Sequence, residues 1–282
     1  MVETKIEDYT DEKTQLIRNV TLSVATVLGD YLEDLVIVGG LAPSLLIPRE
    51  SLPAGASPHI GTIDLDLGLD LYILEKQHYA TISELMRQAG FEPDRTEEDH
   101  TVRQRWVWAK DTTLKVDFLI PRIDEQSEGG RLQNLTPDFA AIITPGLELA
   151  FQNRIPIEVD GTTLWGERAT RQIYVCNPGS FIILKTMANQ IRRKPKDAYD
   201  LHFMTRYFGQ GIEDVAASLA PLLETDLGQE VLGYLRGGFL EEDATGPVRV
   251  VEFLGQTGDE ADATKADVVG DVTELLKACG RL

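Results

Sequence analysis

Apolar and polar positions change period several times along this chain, and each change marks an element. Residues 11–33 carry Leu16, Val20, Leu22, Val24, Ala25, Val27, Leu28 and Leu32. That density predicts one amphipathic helix with a single buried face. "DLVIVGG" (34–40) is a short apolar run stopped by glycine and predicts a buried strand; "LAPSLLI" then begins a helix. Residues 48–60 are rich in Pro, Gly and Ser and read as a loop. "TIDLDLGLDLYIL" (62–74) alternates and predicts a second strand. A helix over residues 76–91 follows, with Gly90 at its C-terminal cap. "TVRQRWVWA" and "LKVDFLI" predict two further strands.

Beyond them "GLELAFQ", "IPIEV" and "RQIYVC" suggest short β pieces around a "DGTTLWG" turn. Asn177 and Pro178 have the order of an N-cap and first helical residue, and open a helix through 193. "PKDAYDLHFMTRYF" continues as a second helix, and from about residue 211 the pattern is mostly helical. The expectation is an α+β protein: a mixed-sheet domain over 1–175, then a mainly helical domain over 176–282.

Alternation gives the second strand its chemistry. Asp64 and Asp66 point to one face, and Ile63, Leu65 and Leu67 to the other. Paired carboxylates repel, and a divalent cation between them relieves the repulsion. Hard oxygen ligands suit Mg2+ or Mn2+. Asp117, alone inside "KVDFLI", supplies a third carboxylate if its strand lies beside the first. Three such groups are the ligand set of two-metal phosphoryl transfer. Gly39 and Gly40, between strand and helix, would let backbone N–H groups approach a triphosphate.

Composition narrows the classes. A net charge of −19 argues against a protein that coats nucleic acid, although "RRKPK" (192–196) is a local basic run. The polar, acidic start "MVETKIEDYTDEKTQ" predicts neither a secretory signal nor a transit peptide, and no window has the ~18 apolar residues of a membrane span. Two distant cysteines, Cys176 and Cys279, fit neither a disulfide framework nor a zinc site, so a cytoplasmic setting is expected. The four histidines, His59, His78, His100 and His202, have no ligand spacing, and no Ser/His/Asp set is legible.

A Gly-Gly turn, a D-x-D strand and a third aspartate on a later strand together resemble the nucleotidyltransferase superfamily with the DNA polymerase beta-like fold. Within it the chain looks most like the AbiEii/MenA group of bacterial nucleotidyltransferases. "FIILKTMA" (181–188) resembles that group's K-x-x-A helix, and "RRKPKDAYDL" (192–201) is similar to its R-x-K-D-x-x-D-L motif. The resemblance spans about residues 35–205. It implies transfer of a nucleoside monophosphate from an NTP, with Mg2+ or Mn2+ held by Asp64, Asp66 and Asp117. It also implies a catalytic Asp197 and nucleotide contacts from Gly39, Gly40, Ser44, Lys185 and Lys196. The acceptor it implies is a tRNA 3′ end or a protein hydroxyl, in a toxin or phage-defence role with a cognate antitoxin or toxin partner. Two departures stand out. Leu41 occupies the place of a small hydroxyl residue, and the 48–60 loop lengthens the Gly40-to-Asp64 spacing.

Other outcomes stay open on the residues alone. Lys185, on the apolar face of a helix, either meets an anion or snorkels to solvent. Asp197 either takes part in the chemistry or is a first-turn acid favoured by the helix dipole. The whole chain is then an active nucleotidyltransferase, a catalytically weak interaction module of a toxin–antitoxin pair, or a small-molecule nucleotidyltransferase of the aminoglycoside-modifying kind.

Overall fold

Strand alternation builds the sheet. The computed structural model describes residues 6–70, 76–124 and 126–282. β1 (Leu35–Val38) is buried along its whole length, and β2 (Asp64–Leu69) lies antiparallel to it. β5 (Asp111–Ile120) runs parallel to β2, and β4 (Thr101–Trp108) antiparallel to β5. With β3 (Phe91–Arg95), β8 (Ile155–Thr162) and β9 (Arg168–Val175) the strand order is β3-β4-β5-β2-β1-β9-β8. β6 (Leu132–Thr136) and β7 (Phe139–Ile143) join through β7, which pairs with β5. Parallel and antiparallel pairs coexist, so the sheet is mixed, and the C-terminal part of the chain is helical.

One face of this sheet is apolar because the register makes it so. Leu65 opposes Val116, Leu67 opposes Phe118, and Trp106 opposes Val116. Trp106, Phe118 and Phe139 are fully buried and meet edge to face, at ring separations of 4.8–6.5 Å. α1 (Asp11–Val27) packs over β8, β9 and β2, and α3 (Lys76–Gln88) against β3 and β6. Thr10 caps it by accepting from the Lys13 amide, and its buried Thr21 and Ser23 hydroxyls donate to carbonyls one turn back.

Three expectations change. The first helix stops at Val27, ahead of Gly29, and a 3-10 turn covers 29–34. "GLELAFQ" is helical, as α4 (Leu147–Phe151): Leu147 and Leu149 mimic a period of two, but Gly146 in the left-handed region starts a helical turn. β3, β6 and β7 were missed: edge strands such as β3 and β6 tolerate Pro93 and polar side chains, and β7 is an apolar run of five residues too short to tell strand from helix by period. Residues 71–74 of the expected second strand lie outside the described residues.

The chain forms two compact units, one of residues 10–42 and 61–176, the other of 1–9, 43–60 and 177–282. The first holds the sheet. The second holds α5 (Pro178–Ile191), α6 (Pro195–Tyr207), α7 (Ile212–Leu219), α8 (Asp226–Phe239), α9 (Thr245–Leu254) and α10 (Gly258–Ala278). α2 (Leu41–Leu46) spans the boundary at 42/43. Asn177 caps α5, accepting from the Ser180 amide at 2.8 Å, with Pro178 in the first turn. Among the described residues, no helix is long and apolar enough to cross a membrane.

α5 is buried nearly throughout, and Gly179 sets how closely α7 approaches it. A Cβ there would stand 2.3 Å from the Ser218 carbonyl oxygen, and backbone cannot turn aside. We expect Gly179→Ala to cost roughly 1–3 kcal/mol by overpacking. Urea denaturation checks this, and an unchanged midpoint would contradict the close contact.

Candidate functional site

Each unit gathers its own set of ionisable groups. In the sheet unit, Asp66 on β2 is in register with Asp117 on β5, and Asp117 with Arg105 on β4. Asp64 lies two residues along β2, opposite Lys115. Alternation therefore puts three carboxylates and two cations on the face opposite the leucines. Thr62 orients Asp64, its hydroxyl donating to Oδ1 at 3.1 Å. Gly39 follows β1 with φ +71°, and a Cβ there would lie 1.8 Å from Asp66 Oδ2. Only glycine combines that left-handed backbone with room for the carboxylate. Gly40 beside it is buried.

Asp117 is 5% exposed, and Arg105 grips both its oxygens: Nε donates to Oδ1 at 2.7 Å and Nη2 to Oδ2 at 2.6 Å. This two-pronged bond raises the proton affinity of the guanidinium against the cost of burial, and the charges of Asp117, Asp64 and Asp94 add to it. The donor chemistry of the three aspartates suits Mg2+ or Mn2+. Their arrangement with Arg105 in place does not. Among the described residues, no group of three His, Cys, Asp or Glu side chains is disposed to hold a metal ion.

The helical unit holds Lys185, Lys196 and Asp197 together. Lys185 does not snorkel: it is 4% exposed, with Nζ 2.9 Å from Asp197 Oδ1 and 2.7 Å from Asp200 Oδ2. The contact with Asp200 is an ion pair between two buried groups. Asp197 sits in the first turn of α6 and also accepts from Arg192 Nε and Nη2 at 2.8 and 2.7 Å. Lys196 donates to Asp200 Oδ1 at 2.5 Å. Both lysines were expected to meet a nucleotide; here both ammonium groups meet carboxylates.

Protonation follows from this pairing. Burial works against the charge of Asp197 and Asp200, but the surrounding cations prevail and hold both well below the usual carboxylate range. Burial also opposes the Lys185 charge, and Asp197 and Asp200 overcome it, so its pKa rises. Lys196 shares a single carboxylate with Lys185; burial wins there, and its pKa falls.

His59 completes this network and was missing from the sequence-derived site. Its Nε2 lies 2.9 Å from Asp200 Oδ1, and its Nδ1 2.9 Å from Ser44 Oγ. The ring packs against Tyr199 and Phe203. Burial, aided by Lys196 and Lys185, lowers its pKa to about 4 against the pull of Asp200, so the imidazole is neutral at pH 7. With Asp200 ionised, Nε2 carries the ring proton, and Ser44 donates its own proton to Nδ1. Ser44 thus directs its hydrogen at His59. The series Ser44–His59–Asp200 has the order of a nucleophilic triad but not its electrostatics. An imidazolium would have to form in a dry site already holding two ammonium groups.

No protein-family model matches the chain, and no curated protein matches it.

These clusters generate two predictions. Gly39→Ala must displace the Asp66 carboxylate and strain the turn; it should cost roughly 1–3 kcal/mol, measurable by thermal or urea unfolding. His59 makes stability depend on pH. Its ordinary pKa of 6.5 falls to about 4 on folding, so between those values the unfolded chain binds more protons. Stability should therefore decline as pH drops from about 6.5 to 4, by roughly 3 kcal/mol in all. Below that window Asp197 and Asp200 add their own loss as they protonate. Urea titrations at several pH values check the slope, and His59→Asn should flatten it between 6.5 and 4. An equal slope in both proteins would exclude His59 as its source.

Proposed function

We propose that the chain is a nucleotidyltransferase with a polymerase beta-like core, moving a nucleoside monophosphate from an NTP to an acceptor hydroxyl and releasing pyrophosphate. One observation carries the reading: Asp64, Asp66 and Asp117 share one face of two neighbouring strands, with Asp66 and Asp117 in register. Three carboxylates against the two cations Arg105 and Lys115 leave that face one negative charge in excess, which a bound cation would offset. Once Arg105 turns away from Asp117, Asp64, Asp66 and Asp117 would be the residues to hold Mg2+ or Mn2+, which would supply charge stabilisation of the transferring phosphoryl group. In the chain itself, Thr62 orients Asp64, and the Gly39 turn leaves room for the Asp66 carboxylate.

The acceptor we favour is an RNA 3′ end, with a toxin or phage-defence role and a cognate partner protein as the setting. Arg193 and Lys194 are exposed in the turn between α5 and α6, giving a chain of net charge −19 a local cationic surface. A polyanion suits that surface better than a protein hydroxyl does. A second reading has specific support. Leu41, in the family's hydroxyl position, is wholly buried core, and Arg105 already neutralises Asp117. Both features favour a catalytically weak interaction module.

Incubation with Mg2+ and each labelled NTP in turn, with and without bulk tRNA, separates the readings. Transfer of label is expected. Asp64→Asn or Asp66→Asn should reduce it at least a hundredfold, since each removes a carboxylate that would hold the ion stabilising the transition-state charge. If no NTP binds by calorimetry at high protein concentration, the enzyme reading fails and the interaction module takes its place.

A further inference from the structure

We propose that Arg105 is an internal counter-cation that positions Asp117 and sets how readily a divalent cation enters the carboxylate face. The inference rests on the reading of that face as the cation site of the proposed enzyme. Its own support is geometric. Asp66, Asp117 and Arg105 form one row across β2, β5 and β4, so the guanidinium stands beside the carboxylates on their own side of the sheet. It spans both oxygens of Asp117 and so takes the facing lone pairs with which the carboxylate would chelate an ion.

The two side chains differ in freedom. The Asp117 side chain is 7% exposed and fixed mid-strand, whereas the Arg105 side chain is 33% exposed. Arginine can therefore turn toward water while the aspartate stays. A cation reaching the face must break two hydrogen bonds before Asp117 can serve it. Chelation of a metal by Asp117 and its two-pronged pairing with the guanidinium are then exclusive, and each stabilises the fold in the absence of the other. Lys115, in register with Asp64, is a second cation on the face, but it is not tied to a carboxylate by the two-pronged bond that holds Arg105.

Calorimetric titration of the whole chain with Mn2+ tests this without reference to activity. Arg105→Gln removes the competing charge and should bind Mn2+ at least tenfold more tightly than the parent chain. It should also melt earlier in metal-free buffer and regain stability as Mn2+ is added. Arg105→Lys keeps a charge but cannot span both oxygens, and should fall between the two. If Arg105→Gln does not fold, Arg105→Lys alone carries the comparison. Adding Asp117→Asn to either variant should erase the gain. Mn2+ binding that is equal or weaker in the folded variants overturns the proposal and leaves the cation site standing. Absence of Mn2+ binding in parent and variants alike overturns the cation site itself, and the proposal with it.

Discussion

A carboxylate withdrawn from water has to be met by a cation, and both units of this protein are organised by that requirement. In the sheet unit it joins Asp117 to Arg105 across two strands. In the helical unit it joins Asp197 and Asp200 to Lys185, Lys196 and Arg192. Removing one partner from such a set leaves an uncompensated charge, typically worth about 3–5 kcal/mol. The pairings therefore fix where α6 lies on α5 and which face of β5 carries its charge. Segment 43–60 is held in the same way, because His59 reaches Asp200 and the Ile60 amide donates to the Tyr199 hydroxyl.

The two clusters differ in their access to water, and that difference bears on function. Lys185, Asp197 and Asp200 are each less than a twentieth exposed, and every charge among them has an internal partner. A ligand entering there would have to replace contacts already made in a dry site. The aspartates of the sheet face a third-exposed guanidinium, and Asp64 and Asp66 are themselves only half-buried. A ligand exchanging with Arg105 trades one cation for another while the released guanidinium is hydrated. Of the two sets of charges, the sheet face is the one able to change partners.

What was legible in the sequence follows from range. The period of two in "DLDL" needs no knowledge of neighbours, so the common face of Asp64 and Asp66 could be read directly. The position of Asp117 beside them required only that its strand pair with β2, which it does. Arg105 was not legible. Nothing in "TVRQRWVWA" distinguishes Arg105 from Arg103 except the register of β4 on β5, and that pairing shifts between Val107 and Trp108. His59 was hidden more completely, since its partner Asp200 lies 141 residues away. Lys185 was legible as a cation in need of an anion. The anion was inside its own neighbouring motif, at Asp197 and Asp200, once the α5–α6 turn folded back. The polar edge strands β3 and β6 were lost because propensity is weakest where one side of a strand is unpaired.

Gly39 shows how one residue can satisfy two explanations and distinguish neither. A glycine after a strand suits the approach of a phosphate to backbone amides. Here the Asp66 carboxylate fills the space a Cβ would occupy, and φ is +71°, so the glycine is required even with no nucleotide present. The Gly-Gly turn and the D-x-D strand are therefore one structural feature, coupled through the Asp66 side chain. Asp117 lies on another strand and is independent of both. Its cationic partner in the sheet is Arg105, and an apolar pair at those two positions would pack the sheet at less desolvation cost. A partly buried arginine–aspartate pair adds little net stability over such a pair, so folding alone gives weak reason for Asp117. A ligand that uses the carboxylate gives a stronger one, and the case for a cation-binding face stands on that residue more than on the glycines.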